Sequence, residues 1–176
     1  MNRAKLYACA KKVRLLVMDV DGVLTDGRMI FGDRGVQVKE FDVRDGFGIV
    51  LARRAGLKTA FLTAEKSRAV SLRAKKLEID WVAQDVRDKA GALQKCLDHF
   101  DMKPREVCYI GDDLTDLPVL RRIGFSATVA DGHAELKRRV DYVSPNPGGR
   151  GAVRDLIELI LRAQGRWPGI LRRYLG

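Results

Sequence analysis

The sequence predicts an α/β fold, a three-layer sandwich around a doubly wound, mostly parallel sheet. Three observations carry that expectation. Val13-Arg14-Leu15-Leu16-Val17-Met18 is apolar with almost no alternation, the pattern of a strand buried on both faces. Further short apolar runs alternate with helix-length segments, an order that calls for parallel pairing and right-handed crossovers. Acids and glycines follow these runs, as expected where strands empty into a polar crevice at the carboxyl edge of an open sheet.

The opening stretch from Met1 to Lys12 is basic, and its apolar part is too short and interrupted for a signal peptide or a membrane span. It reads as a short outer helix. The first strand runs into Asp19-Val20-Asp21-Gly22, and residues 27–41 then form two short runs around Gly32-Asp33-Arg34-Gly35, a hairpin signal. Inserted between the first strand and the first core helix, that hairpin is expected to project over the crevice as a flap. Asp45 to Ala55 reads as a helix stopped by Gly56. Leu57 to Leu62 is the second core strand and delivers Thr63-Ala64-Glu65 to the same edge as Asp19.

Ser67 to Lys76 follows as a basic helix, Asp80 to Ala83 as a strand, and Asp88 to Phe100 as a helix with Ala90, Leu93 and Leu97 in its core stripe. Pro104 breaks the chain before the strand Val107 to Ile110, which ends in Gly111-Asp112-Asp113-Leu114-Thr115-Asp116-Leu117-Pro118. Phe125 to Val129 and Asp141 to Val143 read as strands, Ala134 to Arg139 and Ala152 to Ala163 as helices, and Pro145 to Gly149 as a loop. The tail from Gln164 to Gly176 carries Trp167, Ile170, Leu171, Tyr174 and Leu175. It is too apolar for a free end and is expected to dock on its own domain or on a neighbouring subunit.

At 176 residues, with 46% apolar and 32% charged positions, residues 1–176 make one domain with a full core. Cys9, Cys96 and Cys108 are odd in number and lack metal-ligand spacing, which argues for a reducing cytoplasm. The formal charge of +10 raises nucleic-acid binding. Yet the basic residues are spread over several segments, as in Arg53-Arg54, Lys75-Lys76, Arg121-Arg122 and Lys137-Arg138-Arg139, with no interleaved aromatic platform. Solvated helix faces and attraction of an anionic substrate explain them better. Neither a nucleic-acid partner nor a membrane is expected.

The strand ends carry the chemistry. Asp19 and Asp21 stand two apart after one strand, and Asp112 follows another with Asp113 and Asp116 behind it. Such carboxylates cannot crowd a partly dry cleft in ionised form without a cation, and an oxygen-liking ion such as Mg²⁺ relieves them. Lys89, opening a helix, and Thr63, closing a strand, add a cation and a hydroxyl that can neutralise a phosphoryl group. Taken singly, each has a plain explanation: a solvated turn, a helix-surface cation, a strand-end hydroxyl, a helix cap. Jointly, at alternating strand ends, they describe a phosphoryl-transfer site.

This set, in this order, resembles the haloacid dehalogenase superfamily of phosphatases, with Asp19-Val20-Asp21-Gly22, Thr63, Lys89 and Gly111-Asp112-Asp113-Leu114-Thr115-Asp116 as its four motifs. The resemblance implies a role for each. Asp19 attacks phosphorus and becomes an aspartyl phosphate. Asp21 protonates the leaving alcohol and later activates water, while its backbone carbonyl helps Asp19 and Asp112 hold the metal. Thr63 and Lys89 steady the phosphate oxygens, and Asp113 and Asp116 support.

Asp42-Val43-Arg44-Asp45-Gly46-Phe47-Gly48-Ile49 and Gly148-Gly149-Arg150-Gly151-Ala152-Val153-Arg154 narrow the likeness to the 3-deoxy-D-manno-octulosonate 8-phosphate phosphatase family, over nearly the whole chain. That family lacks a large cap domain and serves lipopolysaccharide biosynthesis. It is a homotetramer in which flaps and tails of neighbours close each site; residues 27–41 and 164–176 occupy those places here. It implies substrate contacts from Asp42, Val43, Arg44, Asp45, Gly46, Arg73 and Lys89. Three positions depart from the family pattern. Ala64-Glu65 stands where Gly-Arg is usual, and Val50 where arginine can occur, so two possible bidentate partners for a carboxylate are gone. Glu65 with Lys76 resembles instead the related branch acting on 2-keto-3-deoxynononate 9-phosphate. The expectation is therefore a Mg²⁺-dependent cytoplasmic phosphatase of a sugar acid phosphate, the eight-carbon one first and the nine-carbon one as alternative. A catalytically silent tetramerising module is the reading of another class.

Overall fold

The computed structural model describes residues 2–33 and 37–175. Six strands form one sheet, β1 (Leu15–Met18), β4 (Lys58–Leu62), β5 (Trp81–Ala83), β6 (Val107–Gly111), β7 (Phe125–Thr128) and β8 (Tyr142–Val143), in the order β5-β4-β1-β6-β7-β8. Every pairing in it is parallel. Two further strands, β2 (Ile30–Phe31) and β3 (Gln37–Val38), pair antiparallel as a separate hairpin. The expected three-layer α/β architecture and the absence of a large cap are thus both present.

The apolar runs are continuous because successive side chains feed opposite layers. Leu16 and Met18 of β1 enter one core, while Leu15 and Val17 enter the other. In β6 the division is the same, with Cys108 and Ile110 on one side and Val107 and Tyr109 on the other. The first core is covered by α1 (Arg3–Ala10), α2 (Val43–Arg54), α3 (Arg68–Leu77) and α7 (Ala152–Ala163). The second is covered by α4 (Lys89–Phe100) and α5 (Leu117–Leu120), with Leu136 of α6 (Ala134–Lys137). Complete burial of strand side chains contributes about 1.5–3 kcal/mol each, so interrupting β1 with a charge would remove the element that both layers share.

Helix starts follow side-chain caps. α2 begins at Val43, two residues earlier than the sequence predicts, because the Asp42 carboxylate accepts from Arg44 N at 2.5 Å and Asp45 N at 3.2 Å. Asp88 caps α4 by accepting from Gly91 N at 3.0 Å, which places Lys89 at its first position. The tail forms α8 (Trp167–Leu175) and docks on its own domain. Trp167 is buried beneath the guanidinium groups of Arg154 and Arg162, 5.9 Å and 4.6 Å from its ring, and Tyr174 meets Phe47 edge-on at 5.9 Å. The predicted hairpin turn lies partly outside the described residues, at Arg34 and Gly35. No helix among the described residues is long and apolar enough to cross a membrane.

Candidate active site at the carboxyl edge of the sheet

Strand order reverses at β1. From there the chain builds outward to β4 and β5, then returns to lay β6 on the other flank. Crevices open at such switch points, beyond the carboxyl ends of the strands. Here a crevice of 240 Å³ is lined by Asp19, Asp21 and Gly22 after β1, Thr63, Ala64 and Glu65 after β4, Lys89 at the start of α4, and Asp112, Asp113 and Thr115 after β6, with Gly27 at the flap's root. A larger recess of 470 Å³ lies between α2 and α8, walled by Arg54, Arg166, Arg172 and Arg173, and contains no carboxylate. The chemistry lies in the smaller one.

Lys89 is the pivot of the crevice. Its ammonium, 4% exposed, donates to Asp19 Oδ2 at 2.8 Å and Asp116 Oδ1 at 2.6 Å. Burial works against its charge, but Asp19 and Asp116 together raise its pKa above the ordinary lysine value. Asp116 is fully buried and has no capacity to spare. Oδ1 also accepts from the Tyr109 hydroxyl at 2.6 Å, and Oδ2 accepts from Asp112 N at 2.9 Å and Asp113 N at 3.2 Å. Its carboxylate lies where a Cβ on Gly111 would stand, 2.3 Å away, so the motif needs glycine there. Tyr109 is pushed well above its usual pKa by burial and by Asp116 and Asp19, and remains a hydroxyl donor.

Asp19 and Asp112 are under strain of a different kind. Burial first, then the Asp116 charge, push Asp19 up to about 7 against the pull of Lys89. Burial, Asp19 and Asp116 raise Asp112 to about 7 as well. Carboxylate oxygens of Asp19, Asp112 and Asp116 all lie within 4.8 Å of one another. Hard oxygen donors crowded in this way, two of them with raised pKa, suit a small divalent cation. Because Asp116 is already saturated, Asp19 and Asp112 are the side chains free to hold it. Gly22, at φ +80°, makes room: a Cβ there would sit 2.0 Å from Asp112 Oδ2.

The remaining predicted residues divide. Thr63 is buried and accepts from Glu65 N at 3.3 Å, leaving its hydroxyl proton for an oxygen in the crevice. Asp113 is exposed on the wall, and Glu65 is exposed at the lip. Asp42, Val43, Arg44, Asp45, Gly46, Arg73 and Lys76, in contrast, do not line the crevice of their own chain. Asp42 is occupied as a helix cap and paired with Arg44 at 3.1 Å, while Val43 is 80% exposed. Asp45 points away, accepting from Gly151 N at 3.1 Å and Arg154 N at 2.7 Å at the start of α7. Arg73 donates to the Asp42 carbonyl at 2.9 Å and lies over the Phe41 ring, against Gly46. Lys76 is exposed in a separate recess that it shares with Val50. Sequence reasoning missed Tyr109, whose hydroxyl in a strand otherwise apolar was the available signal. It also missed Lys39, which pairs with Asp21.

Comparison with known proteins agrees with this geometry. A family description of haloacid dehalogenase-like hydrolases matches residues 57–156. The 3-deoxy-D-manno-octulosonate 8-phosphate phosphatase KdsC of Escherichia coli K12 is 42% identical over 163 residues, spanning 93% of this chain and 87% of that protein. The chain belongs to the haloacid dehalogenase-like hydrolases. Within them its relatives are phosphatases of the octulosonate family. The Moraxella catarrhalis 3-deoxy-D-manno-octulosonate 8-phosphate phosphatase, solved with magnesium, phosphate and KDO, superposes with a TM-score of 0.96 at 36% identity, covering 98% of this chain and 99% of that one. The cobalt-bound Haemophilus influenzae phosphatase gives 0.87 at 34% identity over 89% and 92% of the two chains. A divalent ion in both neighbours is consistent with the cation fit argued from the Asp19–Asp112 pair.

Proposed function

We propose that this chain is a Mg²⁺-dependent phosphomonoesterase that removes the terminal phosphate of 3-deoxy-D-manno-octulosonate 8-phosphate. The observation that carries this reading is the buried Lys89 clamped between Asp19 and Asp116, with Asp112 beside them, at the carboxyl rim of β1 and β6. The substrate comes from the relatives, which match most of the chain's length.

Asp19, Asp112 and the Asp21 main-chain carbonyl would hold the ion. Bound Mg²⁺ supplies positive charge that keeps both carboxylates ionised and draws charge from the phosphoryl oxygens. An Asp19 oxygen attacks phosphorus as the bond to the sugar oxygen breaks, and Asp21 gives that oxygen its proton. Lys89 and the Thr63 hydroxyl stabilise the phosphoryl oxygens. Asp21 then takes a proton from water, which attacks the aspartyl phosphate and frees Asp19. Asp113 and Asp116 support the constellation; Asp116 does so by holding Lys89.

We read the chain as a cytoplasmic homotetramer. The flap exposes Met29, Ile30, Phe31 and Val38, and an isolated two-stranded hairpin is marginal without a partner. Subunit assembly supplies one. It also offers Asp42, Val43, Arg44, Gly46, Arg73 and Lys76 the route to substrate that their own crevice does not, while Asp45 stays bound to the start of α7. Three free thiols fit a reducing compartment.

Side-by-side phosphate release from the eight-carbon and nine-carbon sugar acid phosphates, with Mg²⁺ and with chelator, tests the proposal. Release from the eight-carbon ester, lost on chelation, is expected. Preference for the nine-carbon ester would move the substrate to that branch and give weight to Glu65 at the crevice lip. No release from either, by a protein that still assembles, would mean a silent oligomerising module.

A further inference from the structure

The flap carries one residue that does not behave like its neighbours. Phe31 is 65% exposed and Val38 47%, yet the side chain of Lys39, the next residue, is only 1% exposed. A lysine is buried so completely only against a counter-charge, and its partner is Oδ1 of Asp21. The other oxygen, Asp21 Oδ2, is buried and has no hydrogen-bond partner among the described residues. The carboxylate is thus gripped at one oxygen and left without a partner among the described residues at the other. An exposed surface ion pair would contribute little and would leave the ammonium wet; here the ammonium is enclosed, while the Asp21 side chain is 26% exposed.

We propose that Lys39 is a positioning residue for Asp21, fixing the turn of a carboxylate whose residue lines the crevice. This inference rests on the phosphatase reading above. In that reaction Asp21 acts twice, giving a proton to the departing sugar oxygen and taking one from the attacking water. Both transfers need the carboxylate within hydrogen-bond reach and correctly turned. Two buried cations then act separately: Lys89, in the crevice wall, serves Asp19 and the phosphoryl group, and Lys39, from the flap, serves Asp21. It follows that the flap has a chemical task besides covering the site.

Lys39→Met keeps the stem and removes the charge, and Lys39→Arg restores a cation. Each is compared with the wild type on the sugar acid phosphate and on p-nitrophenyl phosphate, whose leaving group departs without a proton. The Met variant is expected to lose kcat on the sugar ester by on the order of ten- to a hundredfold, with KM and melting temperature little changed. On the aryl ester it should release nitrophenol in a burst, followed by a slow steady state, because water activation is impaired while leaving-group departure is not. The Arg variant should recover part of the rate. A Met variant with full kcat, a loss confined to KM, or an Arg variant no better than Met would overturn the assignment while leaving the phosphatase reading intact. A wild-type protein that releases no phosphate from either ester would instead sink that reading, and this inference with it.

Discussion

Asp45 and Asp112 are both largely buried aspartates raised above the ordinary carboxylate pKa by desolvation, and they illustrate two uses of the same residue. Each Asp45 oxygen accepts a main-chain N–H from the start of α7, at 3.1 Å and 2.7 Å. The Asp112 carboxylate accepts from no donor among the described residues and lies beside Asp19 and Asp116. A buried acid whose lone pairs are filled by backbone holds the fold together. One whose lone pairs are empty and crowded by like charges marks a place for something not part of the chain. The difference lies in the surroundings, since nothing intrinsic to either residue distinguishes them.

The largest test of that contrast is at the rim. Asp19→Asn should abolish turnover, by at least on the order of a thousandfold, with circular dichroism and melting temperature preserved. A near-normal rate would mean that another group attacks phosphorus. Asp112→Asn should likewise lose Mg²⁺-dependent activity, but the metal-free protein should become more stable near pH 8 because one crowded charge is gone. Asp45→Ala should do the reverse. It strips acceptors from two buried N–H groups at about 1–3 kcal/mol each, lowering the melting temperature by roughly 2–4 °C per kcal/mol, while activity per folded molecule survives. If Asp112→Asn destabilises the metal-free protein and Asp45→Ala does not, the contrast fails.

A pH series sharpens the same point. Asp19 and Asp112 rise from 3.8 to about 7 in the folded chain, so the folded metal-free protein retains protons that the unfolded chain has already released. Its stability should therefore fall as pH rises from about 4 to about 7. Mg²⁺ competes with those protons, so its affinity should climb over the same range and level off above it. Thermal melts with and without Mg²⁺ at pH 5 and pH 8 measure both trends; a metal-free melt independent of pH would argue against them. The smallest expected effect is at the lip. Glu65→Arg should shift the ratio of kcat/KM toward the eight-carbon ester over the nine-carbon one by a few-fold, and an unchanged ratio would remove Glu65 from substrate selection.

Much of the fold was legible because burial on both faces writes itself as uninterrupted apolar runs. Leu15 to Met18 and Val107 to Ile110 are strands in the structure as in the sequence. Element ends were less legible. The start of α2 depends on a side-chain cap from Asp42, and the composition of the helix itself does not reveal it. The placement of Asp19, Thr63, Lys89 and Asp112 at one rim was legible too, since parallel strands deliver their carboxyl ends to the same edge.

The sequence by itself determined the layer order, the shared rim and the acids delivered to it, because those follow from local periodicity and the direction of the strands. Only the tertiary structure decided which acids are satisfied and which are left open. Asp45 finds its partners 106 and 109 residues away, Lys89 finds Asp19 70 residues away, and Lys39 turns inward from an exposed hairpin. Such pairings are selected by the need to neutralise groups that packing has removed from water, and no local pattern in the chain records that need.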